Sequence, residues 1–199
     1  MKIKFALTFL FLSLVSATGC SVTHGDPKNP KKNPHPVKRY EVTATADAPG
    51  PWDSVSGTVF FDLVNLACTP EDKFLGVHAK PRDVAIDFEM THVDERTWKG
   101  YFYRDAMLDE DYYGLGICHW DATSVSAGFT AQGIDFSSGA LMDEFLHKNS
   151  QTEYFKKSSY GDHNLIDIGT LDFSSDNPEY VKSPNAFFPI TVTVKEVSP

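Results

Sequence analysis

Apolar and polar residues alternate with a period of two along much of this chain. Val84, Ile86, Phe88 and Met90 alternate with Ala85, Asp87, Glu89 and Thr91. Val59, Phe61 and Leu63 alternate within Gly57–Asn65, and Val125, Ala127 and Phe129 alternate with Ser124, Ser126 and Gly128. Near the end, Phe188, Ile190, Val192 and Val194 alternate with Pro189, Thr191, Thr193 and Lys195. Successive side chains of a strand point to opposite faces, so each run predicts a half-buried strand. Weaker strand patterns cover Tyr40–Ala46, Trp98–Tyr103, Glu153–Lys157 and Leu165–Leu171. Phe60 adds an apolar residue to the opposite face of its strand, which predicts cover on both faces there. About eight short strands, separated by Gly, Pro, Asp and Asn, predict an all-β antiparallel sandwich or a related barrel.

One segment departs from this period. Leu141, Met142, Phe145 and Leu146 fall at helical spacing within Gly139–Lys148. The spacing predicts one short helix at an end of the sandwich, with Ser138 as its N-cap. No internal repeat occurs.

The first residues follow another logic. Lys2 and Lys4 precede Phe5–Val15, eleven residues without a charge, and Ser16-Ala17-Thr18-Gly19-Cys20 follow. A basic start, a short apolar run and small residues describe a secretory signal peptide, here residues 1–19. As a helix the apolar run spans only ~17 Å, against a bilayer core of roughly 30 Å. Ala17-Thr18-Gly19-Cys20 resembles a bacterial lipobox. That resemblance implies that Cys20 is lipidated and becomes the first mature residue. Ser21 at the next position implies sorting to the outer membrane. Several acyl chains, at ~0.8 kcal/mol per buried methylene, would give stable attachment.

Residues 20–39 then read as a tether. Ser21–Lys38 holds four prolines, four lysines and almost no apolar residue. Such a stretch buries too little to offset its ordering entropy and is expected to be extended, reaching on the order of 50 Å. Residues 40–199 form the expected domain. The whole chain has 199 residues and a net charge of −9, but residues 1–39 carry +6 and the remaining 160 carry −15. So acidic a domain is a poor general binder of nucleic acid, which needs cationic surface. The charge serves solubility, or steers a basic protein partner. Hydrophobic residues at 41% and aromatics at 13% exclude a disordered chain.

With Cys20 assigned to lipid, Cys68 and Cys118 remain. In an oxidising compartment an even pair is most simply a disulfide; two buried thiols are the alternative. Around Cys118 lie Asp109-Glu110-Asp111, Tyr112-Tyr113 and Gly114-Leu115-Gly116-Ile117-Cys118-His119-Trp120. Three adjacent acids converge poorly on calcium, so a solvated hairpin tip is expected and no metal. Tyr112, Tyr113 and Trp120 suit either a binding surface or core packing on the cysteine pair. No nucleophile elbow, HExxH, phosphate loop or Cys-x-x-Cys occurs, and the histidines lack ligand spacing, so neither catalysis nor a cofactor is expected.

Cys68-Thr69-Pro70 and Tyr113-Gly114-Leu115-Gly116-Ile117-Cys118-His119-Trp120, in a lipobox-bearing β domain, resemble one group. These are the periplasmic immunity lipoproteins paired with type VI secretion phospholipase and other antibacterial effectors. The resemblance implies a non-enzymatic protein that binds and occludes a periplasm-acting toxin. Asp109, Glu110, Asp111, Tyr112 and Tyr113 are the candidate partner-binding residues. An envelope carbohydrate- or lipid-binding module and a structural lipoprotein of an envelope assembly are the alternatives.

Overall fold

The computed structural model describes residues 24–198, so the leader and Cys20 lie outside the described residues. Ten strands and two helices follow in chain order: β1 (Arg39–Ala46), β2 (Ser54–Leu63), β3 (Glu71–Asp72), β4 (Val77–His78), β5 (Val84–Asp94), β6 (Thr97–Tyr103), β7 (Trp120–Ala131), β8 (Ile134–Leu141), α1 (Met142–Lys148), β9 (Ser150–Lys156), α2 (Pro178–Lys182) and β10 (Phe187–Glu196). Eight strands form one antiparallel sheet in the order β8-β7-β2-β5-β6-β1-β10-β9, and β3 and β4 pair as a small hairpin. The fold is all-β, as the alternation predicts.

β5 turns the sheet into two facing halves. Its residues Val84–Glu89 pair with β2, whereas Met90 onward pairs with β6. A strand that leaves one layer for the other makes the corner of a sandwich. Gly100 stands opposite Met90 at this corner. A Cβ there would lie 2.6 Å from the Glu89 carbonyl oxygen and 2.5 Å from the Met90 sulfur, so the close approach requires glycine.

The inward side chains meet between the halves. Trp98 of β6 meets Phe129 of β7 edge-on at 5.4 Å, and Phe136 of β8 lies 5.5 Å from both Phe155 and Phe188. On β1, Tyr40, Val42, Ala44 and Ala46 are buried; on β10, Phe188, Ile190, Val192 and Val194 are. α1 links the edge strands β8 and β9, burying Met142 and Phe145.

Several expectations change. Leu165–Leu171 is not a strand: a 3-10 turn covers His163–Leu165, and Asp167 and Gly169 have φ of 62° and 81°. Ile168 and Leu171 are exposed, so the apolar count there marks no core. Ile134–Leu141 is a strand that the pattern did not single out. Ser138 is buried within it, its hydroxyl 3.4 Å from the Ile190 carbonyl oxygen, and so is not the N-cap of α1. Leu141 holds that place without a side-chain hydrogen bond, and Leu141 and Leu146 face solvent. Phe60 is 44% exposed, so β2 is covered on one face only at that point. α2 is an additional helix, capped by the Asn177 side chain with Pro178 in its first turn.

The segment before β1 is extended but not free. Gly25 N–H donates to the Asp111 carbonyl (2.8 Å), Asn33 N–H to Ala106 (2.7 Å) and Leu108 N–H to Lys31 (2.9 Å). The Asp105 carboxylate accepts from Val37 and Lys38 N–H, and Lys31 pairs with Glu110 at 2.8 Å. Residues 24–38 are thus a strap laid along the domain, in place of the tether expected from composition.

Candidate functional site

One end of the sandwich gathers the chemistry read from the sequence. β2, β6 and β8 finish there, and β1, β5, β7 and β9 begin there, as the antiparallel registers require. The two long connections 64–83 and 104–119 therefore meet at this end, together with the strap.

Cys68 and Cys118 join the two connections as a disulfide, with a Cα–Cα distance of 5.2 Å. Asn65 reinforces the joint: its side chain donates to the Ile117 carbonyl (2.9 Å) and accepts from His119 N–H (2.7 Å). Cys118 N–H donates to the Glu110 carbonyl at 2.9 Å. Thr69 is buried, its hydroxyl bonded to the Leu66 carbonyl and 3.0 Å from His78 Nδ1.

The five candidate residues sit side by side here, but they face mostly inward. Asp109, the one exposed member, accepts from Trp120 N–H (2.9 Å) and contacts His119 Nδ1 at 2.6 Å. Glu110 turns one oxygen to Lys31; its Oε2 is buried without a hydrogen-bond partner. Asp111 accepts from Tyr113 N–H (3.1 Å) and Gly114 N–H (2.6 Å), closing the loop turn. Desolvation opposes ionisation of Asp111, but these amide hydrogen bonds outweigh it and hold the carboxyl below its usual range. Tyr112 is 4% exposed, and its hydroxyl accepts from Trp120 Nε1 at 3.0 Å. Burial pushes the phenols of Tyr112 and Tyr113 up. Of the two roles open for Tyr112 and Trp120, core packing on the disulfide is the one the geometry shows. Asp109 and Asp111 satisfy backbone donors that the loop would otherwise leave unpaired.

Beside its charged residues this end presents large apolar side chains to solvent, and the sequence reading did not single them out. Leu115 and Ile117 are exposed on the loop beside the disulfide. Gly114 and Gly116, at φ of 73° and 112°, allow the sharp path between them. Val64 and Leu66 flank Cys68, and Phe74 and Leu75 crown the β3–β4 hairpin, Phe74 at 94% exposure. Asp72 accepts from Phe74 and Leu75 N–H and fixes that tip. The legible signal was Phe74-Leu75 and Gly-Leu-Gly-Ile within turn-rich segments, where no core strand runs.

Clefts also lie elsewhere, two of them beside aromatic or titratable side chains. One of about 470 Å³, at the opposite end, is lined by Trp52, Trp98, His92 and Arg96 among others. Its floor is rigid: Trp52 packs on Phe129, Phe136 and Tyr160, and Arg96 is tied to Asp47 at 2.9 Å. The other, about 560 Å³, opens along the facing edges β8 and β9. There burial, with Asp172 adding a like charge, raises the Glu153 carboxyl above its usual range. Among the described residues, no group of three or more His, Cys, Asp or Glu is arranged to hold a metal. No helix of the described residues is long and apolar enough to cross a membrane.

Comparison with known proteins gives no matching family, no similar curated sequence and no similar solved structure.

Proposed function

We propose that the chain is a non-enzymatic envelope lipoprotein, anchored through Cys20, that binds and neutralises a basic periplasm-acting antibacterial effector. The distribution of charge carries this reading. The strap, the two long connections and α1 (24–38, 64–83, 104–119 and 142–148) hold nine basic and ten acidic residues, so the loop end carries a net −1. Outside them, residues 24–199 hold seventeen acids and seven bases, a net −10. The connection 157–186, at the opposite end, contributes five acids and two bases. A domain strapped near its anchor at a nearly neutral end turns an acidic body outward. That body would steer a cationic protein towards it and raise the rate of encounter.

The partner surface in this reading is the acidic body, since Asp109, Asp111 and Tyr112 serve the loop itself and Glu110 holds the strap. The test is competition between a strain lacking the gene and sister cells that deliver their own periplasmic effectors. The deletion strain is expected to be killed and to regain survival when the gene is restored. Survival equal to the parent strain would overturn the proposal.

A further inference from the structure

We infer that the apolar loop end docks on the bilayer that holds acylated Cys20, with Phe74 and Leu75 of the hairpin and Leu115 and Ile117 of the disulfide loop entering the headgroup region. This rests on the lipid anchor of the proposed function and adds to it an orientation and a second membrane contact.

Three observations converge. The first is the path of the chain. Gly25 is fixed against the loop end, with its N–H on the Asp111 carbonyl. A Cβ at Gly25 would come within 2.9 Å of the Tyr112 ring, so strap and loop are in close contact. His24 Nδ1 lies 3.7 Å from Asp111 Oδ2. Only three residues separate His24 from Cys20, four Cα steps or about 14 Å at full extension. The anchor therefore holds this end of the domain, and not the opposite one, against the membrane.

The second is the surface itself. Four large apolar side chains on two connections stapled by the Cys68–Cys118 bond stand exposed at that end. Large apolar side chains exposed together at one end of a folded domain suit an interaction surface. Side chains of this kind enter the boundary of headgroups and acyl chains to a depth of about 5–10 Å. The hairpin tip is ordered by Asp72, so little freedom is lost on insertion.

The third is charge. An acidic body is repelled by anionic lipid, but this end sets nine bases against ten acids. Lys28 and Lys73 are exposed there and suit anionic headgroups. A short covalent link also raises the effective concentration of the loops at the surface, so a contact weak in solution persists once Cys20 is inserted.

The experiment uses the full lipidated protein purified from membranes and returned to vesicles of phosphatidylethanolamine and phosphatidylglycerol, with plain or brominated acyl chains. Bromine quenches tryptophan emission only at short range. Phe74→Trp places a probe on the hairpin, and Ile168→Trp places one at the opposite end, where Ile168 is 77% exposed. Both replace exposed side chains and leave the core intact. The emission added by Phe74→Trp is expected to fall by more than half in brominated vesicles, while that added by Ile168→Trp is unchanged. Protein that floats with the vesicles but shows no quenching at 74, or equal quenching at both positions, would overturn the docking while leaving the anchor in place. Protein that fails to float with the vesicles would overturn the anchor and the docking together.

Discussion

Replacing both cysteines, Cys68→Ala with Cys118→Ala, should lower the free energy of unfolding by about 4 kcal/mol. The bond closes a loop with a sequence separation of 50. In the chain-entropy treatment a loop of that size restricts the unfolded ensemble by about that amount. For a domain of this length, each kcal/mol corresponds to roughly 2–4 °C, so the melting temperature should fall by about 8–16 °C. Both half-cystines are buried, so the double alanine variant introduces no buried polar group. The loss should be largest around the joint. Asn65 would still bridge Ile117 and His119, but the connections 64–78 and 112–119 would gain freedom and become sensitive to protease before the sheet does. Thermal unfolding with limited proteolysis measures both effects. A variant that melts within a degree or two of the parent and resists protease equally would mean that the strap and the Asn65 hydrogen bonds hold this end without the disulfide.

The other large effect belongs to Phe136. Its ring is fully buried and is surrounded by Trp52, Phe155, Tyr160 and Phe188 at centroid distances of 5.4–6.2 Å. Those partners come from β9, β10 and the connections at the end opposite the disulfide, so this one side chain of β8 joins the two edges of the curled sheet. Phe136→Ala should cost about 3–5 kcal/mol, through lost transfer energy and the cavity left behind. Phe136→Leu should recover most of it. Urea unfolding monitored by tryptophan fluorescence measures both, because Trp52 packs directly on the ring. A cost below about 1 kcal/mol for Phe136→Ala would show that the cluster collapses freely around the gap, contrary to the packing described.

Most of the legible strands alternate in burial. β1 does so throughout, β7 on either side of Thr123–Ser124 and β10 from Phe188 to Val194, and period two reads them directly. β8 was hidden because Ser137-Ser138-Gly139-Ala140 offers small residues where large apolar ones were sought. Gly139 is small for a reason that lies in the packing: a Cβ there would stand 2.5 Å from the Val125 carbonyl oxygen of β7. Leu165–Leu171 misled in the opposite sense, because its apolar residues serve a surface turn.

The loop end was legible in composition and not in direction. Sequence places Asp109, Glu110 and Asp111 side by side, but whether a carboxylate meets solvent or an amide depends on the path of the backbone. Here Asp109 and Asp111 cap the N–H groups of Trp120, Tyr113 and Gly114. The strap was misread for a related reason. Its prolines and lysines do keep it extended, as composition indicates. Its partners, Asp105, Ala106 and Leu108, lie some seventy residues further on, and no local pattern reports a pairing at that range.

The proposed orientation of the acidic body and the proposed docking of the loop end both rest on anchoring at Cys20. The intact mass of the mature protein extracted from the envelope tests it most directly. The expected product is a chain that begins at Cys20, carrying a lipid on its first residue and the mass of one disulfide. A mature chain that carries no lipid, or that begins at any other residue, would contradict it.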